Sequence, residues 1–198
     1  MGRISLRDAR EKWRDRMAVA SNAVIEEGVK EDGSAKLRVI HDASNEVKVN
    51  HQIVMRDYLP SPLIQDIKGA HETLEAANKR CFGILWDFEG AHRIPRVAEV
   101  DQGYLLCQLP EEAKRPPDEA MLEQNLVPVY GVGSAAYWWD RLVGLTTRTQ
   151  HYVLGPEMEE IIAVFADDGR AIVQLGNFRI AIPLLFLWLC LLYTSDAA

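Results

Sequence analysis

Two apolar runs, Glu160-Ile-Ile-Ala-Val-Phe165 and Arg170-Ala-Ile-Val-Gln-Leu175, flank the tetrapeptide Ala166-Asp-Asp-Gly169. Short runs rich in Ile and Val are strand-like, and an Asp-Gly step between two of them signals a β-hairpin. That feature constrains the chain strongly. A hairpin requires a sheet, and this one carries two adjacent carboxylates at its tip. Neighbouring carboxylates repel, and a bound dication relieves the repulsion. Asp-Asp-Gly taken alone reads as an ordinary polar turn, since Asp and Gly are favoured turn residues.

Other segments supply the rest of a mixed fold. Ser5 with Asp8 has the shape of a helix-start capping box, and Leu6, Ala9, Trp13, Met17, Ala20 and Val24 recur at helical steps. A helix ending at Gly28 follows, with Arg3, Arg7, Arg10 and Arg14 along another face. Asp32-Gly33 reads as a turn between Val29 and the strand Lys36–His41. Pro62 suits the first turn of a helix whose buried face is Leu63, Ile67, Ala70, Leu74 and Ala77. Cys81-Phe-Gly-Ile-Leu-Trp86 is a buried strand that ends at Asp87. Tyr104–Leu109 reads as another strand, Pro110–Glu123 as an exposed connection, and an aromatic helix surrounds Trp138 and Trp139. Strands and helices in irregular order, without repeats or low-complexity linkers, indicate an α+β unit.

Composition narrows the function classes. The chain has 198 residues, 48% of them hydrophobic and 26% charged, the usage of a globular protein. Its net charge is −7, so any hold on nucleic acid must come from local basic stripes. Cys81, Cys107 and Cys190 form neither a Cys-x-x-Cys pair nor an even framework, which suits reduced thiols in an intracellular setting, cytoplasmic or nuclear. Arginines break up the opening residues, so no secretory leader is expected. The apolar stretch Ile180–Tyr193 holds Pro183 and falls short of the ~20 residues of a membrane span, so a buried helix and no membrane partner are expected. The histidines lack zinc spacing, and Gly131-Val-Gly133 lacks the Gly-Lys-Ser/Thr of a phosphate loop.

Metal-assisted phosphoryl transfer needs hard oxygen ligands converging from rigid elements. Asp87 at a strand end, with Asp167 and Asp168 at a hairpin tip, offers such a set. Asp167 follows Asp87 by 80 positions (167 − 87).

From Lys36 to Leu175 the chain resembles the reverse transcriptase family of retroelements. Lys36-Leu-Arg38-Val-Ile-His-Asp42 is similar to the fingers strand Lys-x-Arg-x-x-x-Asp, and Asn50 to a downstream asparagine. Tyr58-Leu-Pro-Ser-Pro62 is similar to the family's proline segment. Asp87-Phe-Glu-Gly-Ala-His-Arg93 resembles the first catalytic motif. Tyr130-Gly-Val-Gly-Ser-Ala-Ala136, with Trp139 and Arg141-Leu142, resembles the motif lining template and nucleotide. Phe165-Ala-Asp-Asp168 resembles the aromatic-x-Asp-Asp metal motif. The resemblance implies a polymerase-like palm, an antiparallel sheet with helices packed on one face, plus partial fingers. It implies RNA-directed DNA polymerase activity with two Mg²⁺ ions (or Mn²⁺) on Asp87, Asp167 and Asp168. Arg38, Phe88, His92 and Gly131 would bind the nucleotide, and the partners would be a primed RNA or DNA template and deoxynucleoside triphosphates.

The departures are specific. His92 stands where the family places the Tyr or Phe that screens the ribose 2′-hydroxyl, Ala136 replaces a proline and Asp140 a glutamine. Residues 190–198 resemble the conceptual translation of a sequencing-library adaptor. The expected organisation is therefore 1–35 as N-terminal helix and fingers lead-in, 36–189 as fingers and palm, and 190–198 as a non-native tail. The family's thumb and RNase H regions would be missing from this fragment, leaving it inactive alone. The alternative is a non-catalytic polymerase-like module that binds nucleic acid.

Overall fold

The structure, a computed structural model, describes residues 2–58, 60–117, 119–154 and 161–194. Leu59 of the proline segment, Glu160 of the predicted hairpin and residues 195–198 of the tail lie outside the described residues. The elements begin with β1 (Gly2–Ser5), α1 (Leu6–Trp13), β2 (Val19–Ala20), β3 (Asn22–Val29), β4 (Ala35–His41) and α2 (Val49–Gln52). Next come α3 (Ile64–Ala76), β5 (Cys81–Asp87), β6 (Leu106–Cys107) and β7 (Met121–Gln124). The chain continues with α4 (Ser134–Leu154), β8 (Ile161–Phe165), β9 (Asp168–Gln174) and α5 (Phe178–Thr194). This is a mixed α+β architecture. It packs as two compact units, Met1–Asp57 with His92–Trp138 and Tyr58–Ala91 with Trp139–Ala198.

The first unit holds a sheet in the order β1-β7-β6-β2 and the separate hairpin β3-β4. Ser5 caps α1 as its sequence suggests, accepting the Asp8 amide at 3.0 Å. Ala9 and Trp13 pack with Leu106 and Leu122 in the core. Each fully buried leucine contributes about 1.5–3 kcal/mol. The helix does not run on to Gly28. Arg14, at φ 52°, leaves the helical region. Val19-Ala20 then pairs in parallel with β6, and Asn22–Val29 pairs antiparallel with β4. The helical spacing through Met17, Ala20 and Val24 is overridden because Val24, Ile25 and Val29 find cross-strand partners on β4, where β-branched side chains fit. The Asp32-Gly33 turn forms as expected, with Asp32 accepting from the Ser34 amide and Gly33 at φ 80°. The expected Tyr104–Leu109 strand shrinks to Leu106-Cys107, because a 3₁₀ turn occupies Glu99–Leu105.

Among the described residues of this unit, His41, Cys107 and Asn125 are buried side by side. His41 and Cys107 face one another with Nδ1 and Sγ 2.9 Å apart. Asn125 donates to the Leu105 carbonyl at 3.0 Å and to Cys107 Sγ at 3.4 Å. Burial pushes the Cys107 thiol up and the His41 imidazole down, with Asp42 opposing the latter. Burial thus favours the neutral form of both groups, and one hydrogen bond joins ring nitrogen and sulfur.

The second unit is built on the three-stranded sheet β5-β9-β8, antiparallel throughout. Asp66 accepts the Leu63 amide at 2.7 Å and so starts α3, whose Ala70 and Leu74 pack on Ile172 with Cys81 and Ile161 alongside. Leu63 and Ala77, expected on that buried face, are exposed. Strand parity puts Ile172 on one sheet face, while Trp86, on the other, meets Trp188 of α5 edge-on. Helices thus reach the sheet from both sides, not one, and the central strand β9 buries Ala171, Ile172 and Val173 in succession. Among the described side chains of α5, Ala181, Leu185 and Trp188 are buried, whereas Ile180, Phe186 and Leu187 stay more than half exposed; that part of the helix is one-sided, not buried all round. Among the described residues no helix is long and apolar enough to cross a membrane.

Two predictions follow from this packing. Neutral His41 is favoured in the fold and its ordinary value is 6.5, so stability should be full above that pH and fall as pH drops below it. The slope is at most about 1.4 kcal/mol per pH unit. Urea unfolding between pH 7.5 and 5 should show this slope, and His41→Gln should reduce it. Gly169 lies opposite Trp86 in register, and a Cβ built there would overlap the indole. Gly169→Ala should therefore cost about 1–3 kcal/mol by the same measurement.

Candidate active site

The register of β5 against β9 brings the predicted carboxylates together. Asp87 is the Cα partner of Asp168, the last of seven consecutive antiparallel pairs that begin at Cys81 and Gln174. Directly paired residues have Cα atoms about 4.5–5.5 Å apart. One residue further on, the Phe88 amide donates to the Asp167 carbonyl at 2.8 Å. The apolar run of β5 gives way at Asp87 to Phe-Glu-Gly, and Gly90 at φ 64° turns the chain aside.

The β8–β9 hairpin forms, but its turn sits earlier than the sequence suggests. Phe165 pairs with Asp168, which leaves Ala166 and Asp167 as the two-residue loop and places Asp168-Gly169 within β9. The displacement has a packing reason: Gly169 lies beneath the Trp86 indole, a place for a residue without a side chain. Ala166 takes the positive φ of the loop, 53°.

All three carboxylate residues are exposed. Asp87 and Asp168 share one sheet face with Leu85, Ala163, Phe165 and Arg170. That face borders a cavity of about 570 Å³ with apolar lining from Pro62, Ile67, Leu85 and Phe165, and polar lining from Asp87, Asp168 and Arg170. Arg170 tempers the negative charge there. Oxygen donors on a rigid sheet end suit a hard divalent ion, and Asp87, Asp167 and Asp168 are the residues that would hold one. As the side chains stand, no group of three His, Cys, Asp or Glu among the described residues gathers to hold a metal ion.

Beneath the carboxylates lies an aromatic row. Phe88, 1% exposed, packs edge-on against Trp139 with centroids 5.1 Å apart, and against Trp86 at 6.3 Å. Trp86 in turn meets Trp188 at 6.3 Å, and the Trp188 indole N–H donates to the Thr146 carbonyl at 2.9 Å, tying α5 to α4. Phe88, predicted to touch nucleotide, is thus placed in the core. Trp139 is buried while its neighbour Trp138 is 56% exposed, and the Trp139 N–H donates to the Ala166 carbonyl at 2.6 Å. Spacing alone gave no signal of that bond.

Arg38, His92 and Gly131 belong to the first unit. The Arg38 Nε donates to Glu27 at 2.7 Å, and its guanidinium lies over the Tyr130 ring, 4.6 Å from the centroid. Gly131 has φ 100°, and a Cβ there would strike the His41 carbonyl, so glycine is required. Asn50 clamps this loop, donating to the Gly131 carbonyl at 2.7 Å and accepting the Gly133 amide at 2.8 Å. His92 sits in a single 3₁₀ turn, edge-on to Tyr130, with its buried Nδ1 lacking a partner among the described residues. The Glu27 and Asn50 contacts were not foreseen. Glu27 occupies an irregularity in β3 between Glu26 and Gly28, which no sequence pattern marks.

No protein-family model matches the chain, and no curated protein matches it.

Proposed function

We propose that this chain is the fingers and palm of an RNA-directed DNA polymerase of retroelement type. It would transfer nucleotidyl groups from deoxynucleoside triphosphates to a primer on an RNA or DNA template. The observation that supports this most is the pairing of Asp87 with Asp168 at the open end of one sheet, beside Asp167 in the adjoining turn. Phosphoryl transfer of this kind demands little covalent chemistry from a protein and much positioning and charge neutralisation.

The reaction joins the primer 3′-oxygen to the α-phosphorus and breaks the bond to the departing pyrophosphate. Two divalent ions, Mg²⁺ or Mn²⁺, supply charge neutralisation and acidify the primer hydroxyl when bound. Asp87, Asp167 and Asp168 provide the oxygen donors from a hydrogen-bonded sheet end. By the resemblance, Arg38 would take the triphosphate, exchanging the Glu27 carboxylate for a phosphate, a charge-assisted bond of the same type. The loop at Gly131, held by Asn50, offers backbone without side-chain obstruction. By the resemblance, His92 would take the sugar-screening position. Imidazole is smaller than the family's phenol and hydrogen-bonds, so it tolerates a ribose better.

The test is primer extension on a primed RNA template with Mg²⁺, using the chain lengthened beyond Leu189 by a reverse transcriptase thumb. Asp167→Asn removes a charge with little change of shape and should lower extension at least about 10²-fold, with the unfolding midpoint kept. Equal activity in both proteins would refute the role of Asp167. Inactivity of both would favour a polymerase-like module that binds nucleic acid without catalysis.

A further inference from the structure

Trp139 touches the polypeptide at both ends of the carboxylate set without touching a carboxylate. Its side chain is 0% exposed, and its indole N–H donates to the Ala166 carbonyl at 2.6 Å, one residue before Asp167. Its ring packs edge-on against Phe88, one residue after Asp87, with centroids 5.1 Å apart. The two contacted residues flank a third bond, from the Phe88 amide to the Asp167 carbonyl at 2.8 Å. Ala166 adopts φ 53°, a region that an L-residue with a Cβ rarely enters and that glycine enters freely. That φ strains an alanine, and the buried indole N–H on its carbonyl is placed to help hold the turn.

We propose that Trp139 is a positioning residue that fixes the Ala166-Asp167 turn against the end of β5 and thereby sets the spacing of Asp87 from Asp167 and Asp168. The inference rests on the metal-site reading of those carboxylates only for its consequence; the positioning itself is a property of the hairpin. It goes beyond core packing, because a core role needs the ring alone whereas positioning needs the N–H. Phenylalanine at 139 separates the two.

Native-state hydrogen exchange on the full chain tests it, with wild type, Trp139→Phe, Ala166→Gly and the double variant. In wild type the Trp139 indole N–H should exchange slowly; exchange at the rate of a free indole would overturn the proposal without any substitution. In Trp139→Phe, protection of the Phe88 amide should fall about tenfold, while mid-strand amides of β9 keep theirs. Adding Ala166→Gly should restore protection, because glycine adopts the turn without a held carbonyl. Unchanged protection at Phe88, a uniform loss across β9, or no rescue by Ala166→Gly would each overturn it. A Mn²⁺ titration read by electron paramagnetic resonance reports the consequence: Trp139→Phe should weaken binding about tenfold, and the double variant should regain it. If wild type takes up no Mn²⁺, the metal-site reading fails, and the exchange data still decide the role of Trp139.

Discussion

The pairing of β5 with β9 is the interaction on which the candidate site depends. Side chains alternate along a strand, so a register slip of one residue would exchange the two faces. If β5 slipped, Asp87 would turn to the aromatic side, away from Asp168, and Trp86 would face the cavity. The aromatic side forbids the slip. Trp86 needs the bare backbone of Gly169 opposite it and meets Phe88 and Trp188 edge-on. Edge-to-face aromatic pairs contribute about 0.5–1.5 kcal/mol each beyond their burial. The carboxylates are thus held at the sheet end by packing on the face they do not share. Their exposure costs little, because the apolar burial is carried by Ala171, Ile172 and Val173 of the central strand.

A second pattern concerns charge. Arg38 is committed to Glu27 and stacked over Tyr130, with its side chain 41% exposed. An exposed ion pair of this kind contributes roughly 0–1 kcal/mol, so a phosphate can displace the carboxylate at small cost. The loop at Gly131 is fixed differently, by two hydrogen bonds from one asparagine. On the proposed reading, a weakly held cation beside a firmly held backbone would let anions exchange there without rearranging the walls.

Much of this was legible in the sequence. The strand ending at Asp87, the hairpin around Asp167 and Asp168, the helix after Pro62 and the turn at Asp32-Gly33 are readable because each depends on local pattern and turn chemistry, but β5 is an edge strand with Leu85 exposed and not the buried strand that its apolar run suggests. The N-terminal helix was overextended, since Met17, Ala20 and Val24 satisfy a helical period that strand pairing with β4 overrides. The hairpin turn was misplaced because Asp-Gly is the stronger turn signal, yet Gly169 is needed inside β9 under Trp86. The contacts of Trp139, Asn50 and Glu27 span distances in sequence that composition and spacing do not encode.

Anomalous diffraction from crystals of the chain soaked in Mn²⁺ tests the central claim most directly. A manganese peak is expected at the carboxylates of Asp87, Asp167 and Asp168, with oxygen ligands at about 2.1–2.3 Å. An ordered β5–β9 sheet end that carries no peak, or a peak only at unrelated carboxylates, would contradict it.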